Sequence, residues 1–87
     1  MATTPTVSEM RKAAQISDDE IDAAVDAYVA SPTAGPFRCA SGHQIDVPAA
    51  VRAYLPAVAA VADPDRTPKF KWTMVRTAIL LAHPVKA

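Results

Sequence analysis

The sequence predicts an all-α fold, a small four-helix domain spanning residues 1–87, in which the connection between the second and third helices is either a minimal β-hairpin over about 37–45 or an irregular loop. Three observations carry that expectation. Apolar residues recur at helical spacing in four stretches. Two capping boxes open the first two of them. Proline or glycine stands where the stretches end.

The elements follow in order. Thr6-Val-Ser-Glu9 sets a hydroxyl three residues before a carboxylate, so each side chain can satisfy an orphan N–H of a helix start. A first helix is expected over 7–16, with Val7, Met10 and Ala14 inward. Ser17-Asp-Asp-Glu20 repeats the device and opens a second helix over 18–30, whose Ile21, Val25, Tyr28 and Val29 share one face. Pro32, Gly35 and Pro36 stop it.

The segment 31–46 is long for a bundle connection. Within it, Ala40-Ser41-Gly42 offers a three-residue turn with glycine at the left-handed position. In that hairpin Cys39 faces His43 and Phe37 faces Ile45. In the alternative loop, Phe37 and Ile45 simply plug the bundle.

A third helix is expected over 47–62, N-capped by Asp46 and with Pro48 in its first turn. Val47, Val51, Tyr54, Leu55, Val58 and Val61 keep the helical period through Pro56, which favours one kinked helix over two. Arg52 is its only charge, so it is expected to be the central, most buried element. Thr67 and Pro68 start a fourth helix over 68–82, stopped by His83-Pro84. Its apolar residues, from Phe70 and Trp72 to Leu81 and Ala82, spread over an arc of roughly 200° at 100° per residue. Such a face touches more than one neighbour. Lys71 projects into the middle of it, where it either snorkels or marks the mouth of an exposed apolar groove.

Composition sets the limits. Nine Lys+Arg balance nine Asp+Glu, which argues against a globally basic nucleic-acid coat and against an acidic disordered tail. Apolar residues make up 51%, but 19 of the chain's residues are alanine, which adds little burial to offset the cost of ordering the backbone. A core this thin predicts a stabilising partner or a second copy. Cys39 is the single cysteine, so no intramolecular disulfide can form. The start lacks a charged and then apolar leader, and the uncharged run 53–62 is too short to cross a bilayer. A cytoplasmic protein without a membrane partner is expected. The absence of Asn beside plentiful Ala, Val, Asp, Pro and Arg suits a GC-rich genome, such as an actinobacterium's or its phage's.

Cys39, His43, Asp46 and His83 are the residues from which a metal site could be assembled. Structural zinc takes four ligands in paired motifs at short spacing, and neither C-x-x-C nor H-x-x-x-H occurs. A Cys39–His43 nucleophile pair would leave little chain for a substrate pocket of about 300 Å³. Neither Gly35 nor Gly42 sits in a phosphate loop. The expectation is a protein without catalytic activity, cofactor or metal.

Charge is polarised. Residues 1–35 hold two cations and six anions; residues 36–87 hold seven cations and three anions. Two helices joined by a tight turn are the order of a helix-turn-helix module, but Asp18, Asp19, Glu20, Asp22 and Asp26 on the second would be pushed against phosphate. The standard DNA-docking mode is therefore excluded. Two functions stay open. The first is a protein–protein interaction module, binding another protein (a phage-encoded modulator of a host protein, for example) or itself as a homo-oligomer. It would use Asp19, Asp22, Asp26, Phe37, Arg38 and His43, unless the acidic helix packs internally near Arg52 or Arg66. The second is a nucleic-acid-binding regulator using Arg66, Lys69, Lys71 and Arg76.

Overall fold

Both capping boxes form, and they fix where the first two helices begin. Thr6 Oγ1 accepts from the Glu9 amide at 3.2 Å while the Glu9 carboxylate accepts from the Thr6 amide at 3.1 Å. Ser17 and Glu20 exchange the same pair of bonds at 3.2 and 3.1 Å. The computed structural model describes residues 5–31 and 35–86; residues 1–4 and Pro32, considered above from sequence, lie outside them. Among the described residues there are five helices and one small sheet: α1 (Val7–Lys12), α2 (Asp18–Ala30), β1 (Phe37–Arg38), β2 (His43–Ile45), α3 (Val47–Ala53), α4 (Leu55–Ala62), α5 (Pro68–Leu81) and β3 (Val85–Lys86).

The domain is small and mostly helical, but the four expected helices become five. α1 stops at Lys12 rather than 16. Ala14 takes a left-handed φ of 62°, its amide bonds the Arg11 carbonyl at 3.0 Å, and the Gln15 amide reaches the Met10 carbonyl at 2.9 Å. That pair of bonds is a Schellman close. It leaves Ala14 exposed and turns the chain so that Ile16 is buried just before α2 starts.

The expected kink at Pro56 is a break. Proline offers no N–H to the Arg52 carbonyl, and its ring would collide with that carbonyl in a continuous helix. The chain instead leaves helical geometry at Tyr54 (φ −113°, ψ 94°), and α4 restarts with Pro56 in its first turn, where no N–H is required.

The connection after α2 is the hairpin, with the expected register. Phe37 pairs with Ile45 and Arg38 with Gln44, while the Cys39 amide donates to the His43 carbonyl at 2.7 Å. Gly42 turns with φ 87° and bonds Cys39 at 3.1 Å. β3 adds to the free side of β2, so the chain's last described residues close a three-stranded antiparallel sheet in the order β1-β2-β3.

α5 is the hub of the core. It packs against α1, α2, α3 and α4, as its wide apolar arc requires, and buries Val75, Ala78 and Ile79. Ile21 and Val25 of α2, Val47 and Val51 of α3, and Val7 and Met10 of α1 complete the same cluster. The Val7 amide, an orphan of α1's first turn, donates to the Ala82 carbonyl beyond α5 at 2.9 Å. The expectation that 47–62 forms the buried centre holds only for α3. α4 turns just Ala57 and Ala60 inward, and Leu55 is 74% exposed.

The two left-handed residues predict effects of opposite sign. A Cβ at Gly42 would meet no atom within 4 Å, so Gly42→Ala carries the backbone penalty alone, about 1 kcal/mol of lost stability. Ala14→Gly relieves the same strain and should gain up to about 1 kcal/mol. Urea denaturation of the two variants measures both.

Candidate functional site

The acidic stripe of α2 is solvent-exposed but engaged within the chain. α5 meets it residue by residue. Trp72 Nε1 donates to Asp26 Oδ1 at 2.8 Å, Arg76 Nε to Asp22 Oδ1 at 3.0 Å, and Arg76 Nη2 to Asp18 Oδ1 at 3.1 Å. Arg11 Nη1 reaches that same Asp18 oxygen at 3.2 Å. Asp22 and Asp26, expected to bind a partner, thus pin α2 to α5 within the chain. The internal cation is Arg76, neither Arg52 nor Arg66. Asp19 alone of the three expected residues has no hydrogen bond or ion pair among the described residues; Asp26 is exposed as well but is held by Trp72.

The hairpin residues divide. Phe37 packs against the core cluster, Arg38 is exposed, and His43 is half-buried with Nδ1 3.1 Å from Ser41 Oγ. Cys39 is buried, and desolvation, helped by the charge of Glu20, pushes its thiol up from the ordinary range. No group of three His, Cys, Asp or Glu side chains converges among the described residues.

Glu20 ties this hairpin to α2. Its Oε2 accepts from the Ala40 amide at 2.7 Å while Oε1 serves the Ser17 cap. The Ala40 amide, and after it the Ser17 amide, hold the Glu20 carboxyl below its usual value. A carboxyl lowered on folding stabilises the fold above its unfolded pKa, about 4.3, and that contribution is lost as pH falls through the lower folded value. Amide exchange at Ala40 should therefore quicken in acid beyond the intrinsic rate. In Glu20→Gln, exchange should be faster at neutral pH and lose that carboxyl-dependent acid response.

The basic residues proposed for nucleic acid are not gathered into one patch. Arg76 is turned into the α2 contact with 26% of its side chain exposed. Arg66 lies over the Phe70 ring at 4.9 Å and pairs with Asp63 at 3.5 Å. Lys71 lines a groove with Tyr28, Val29, Val61 and Val75, which matches its place in the apolar arc. Lys69 is exposed.

The surface that stands out is apolar. Among the described residues, six large hydrophobic side chains are exposed: Val29, Leu55, Val58, Val61, Phe70 and Leu81. Each was expected on an inward face. Leu55, Val58 and Val61 lie on α4, a helix without one charged residue. Val29 shares a groove with Val61 on one flank of α4. Phe70 and Met74 share a second groove with Pro56 and Ala59 on the other flank. Leu81 lines a third with Ala53 and Tyr54, between α3 and α5 and clear of α4. Single exposed apolar residues are ordinary; five gathered on and beside one uncharged helix form a patch.

Sequence reasoning missed this surface because it sent the larger side chains inward. The readable signal is the pair Ala57 and Ala60, three apart, which let α4 approach α5 closely while its valines and leucine point elsewhere. The chain matches no protein-family model, no curated protein and no solved structure, so the functional argument rests on its own geometry.

Proposed function

We propose that the chain is a small non-enzymatic protein–protein interaction module, and that it docks through the apolar ridge of α4 with its flanking grooves, not through the acidic stripe of α2. One observation carries this: of the six large hydrophobic residues exposed among the described residues, five lie on α4 or in a groove that α4 lines. Leaving such a patch in water forfeits burial worth roughly 25 cal/mol per Å², and the chain's alanine-rich core has little stability in reserve. A partner laid on the ridge recovers that burial. Charged side chains are depleted at the centre of the patch and present at its edge, as Arg52, Arg66 and Lys71, which is the anatomy of a protein interface.

Leu55→Asp/Val61→Asp is the test. Both positions are exposed, so the fold should tolerate the change. Immobilised wild type should retain binding proteins that the double variant loses, with the two sharing one melting temperature. Equal capture by both would remove α4 as the interface.

A further inference from the structure

We infer that the occupant of the α4 ridge is a second copy of this chain, packed antiparallel across a two-fold axis that passes between Val58 and Ala59. The inference rests on the proposed interaction surface and adds the identity and orientation of the partner.

At 100° per residue, the outermost line of α4 is Leu55, Val58, Ala59 and Ala62, at spacing i, i+3, i+4, i+7. All four are exposed. The two large residues stand in the N-terminal half of this line and the two small ones in the C-terminal half. An antiparallel copy centred on the Val58–Ala59 midpoint sets Leu55 against the partner's Ala62 and Val58 against the partner's Ala59. Large side chains then fill the spaces left by small ones at every step, and the alanines let the axes approach within about 8 Å. A parallel copy would stack leucine on leucine at one end and leave a gap between alanines at the other.

The ends of the ridge carry the matching charges. Arg52, in the last turn of α3, precedes the ridge, and Asp65, in the turn after α4, follows it. Arg52 is exposed and makes no ion pair or hydrogen bond among the described residues; the Asp65 carboxylate is exposed and likewise makes none. The two-fold operation that pairs Leu55 with Ala62 sets the end of the ridge flanked by Arg52 in each copy against the end flanked by Asp65 in the other. It thus brings opposite charges to both rims of an apolar centre. A self-complementary surface of this kind is what an isologous dimer requires.

The full chain should sediment as a monomer–dimer equilibrium between about 10 µM and about 500 µM, with Leu55→Asp weakening the dimer at least about tenfold. Arg52→Asp and Asp65→Arg should each weaken it, and the double exchange Arg52→Asp/Asp65→Arg should restore it, since the reversed pair is again complementary. Orientation is read by oxidation. Leu55→Cys mixed with Ala62→Cys should give a disulfide heterodimer, while neither variant alone should cross-link; Cys39 is buried and stays silent. Self-linking of Leu55→Cys would overturn the antiparallel arrangement. A chain monomeric at every concentration would overturn the second copy. In that case, Leu55→Asp/Val61→Asp losing other captured proteins leaves the interaction surface standing, whereas unchanged capture removes both.

Discussion

Ile79→Ala is expected to lower stability by about 3–4 kcal/mol, the usual cost of truncating a fully buried isoleucine when the surroundings collapse only in part. Ile79 has no exposed surface and sits on the helix that touches all four others. A cavity there loosens the whole cluster rather than one contact. For a domain of this size the loss is a large share of the total, and the melting temperature should fall by about 20 °C. Denaturant midpoints at unchanged slope would confirm a lost core contact, not an altered unfolded state. Leu55→Ala is the paired control. It removes the same kind of side chain from a site 74% exposed, and stability should move by less than about 0.5 kcal/mol. Similar losses from both would mean that α4 is buried in solution.

Asp22→Lys/Asp26→Lys is expected to cost about 1–2 kcal/mol. The exchange sets one ammonium beside the Arg76 guanidinium and leaves Trp72 Nε1 without its acceptor. The figure is held down because these groups are partly exposed and water screens them. Asp19→Lys makes one such substitution on the same helix, at a position with no partner, and should be nearly neutral. Equal stability of the two variants would return the stripe to the role of a solvated surface. In that case it would again be available to a basic partner.

Much of the local structure could be read from residues alone. Thr6, Ser17, Asp46 and Thr67 announce helix starts because a capping oxygen needs only its own next turn to find a donor. Gly42 announces the hairpin turn for an equally local reason. The early stop of α1 left no such mark, since an alanine holds the left-handed position where glycine would have signalled it. The functional surface was the least legible part. Leu55, Val58 and Val61 keep the same period as Val47 and Val51, and periodicity says which residues share a face without saying what covers it.

By itself the sequence determined four of the five helix starts and the apolar faces, because each follows from contacts a few residues apart, and it offered the hairpin register as one of two readings of the 31–46 segment. Only the tertiary structure decided which of those faces and charges found partners. α5 can be covered from several sides, so it became the centre; Pro56 freed α4 to swing out with two alanines inward; and Arg76 reached the acids of α2 across 54 residues of chain. Burial and ion pairing depend on what arrives from elsewhere in the fold, and that is settled by packing, not by local pattern.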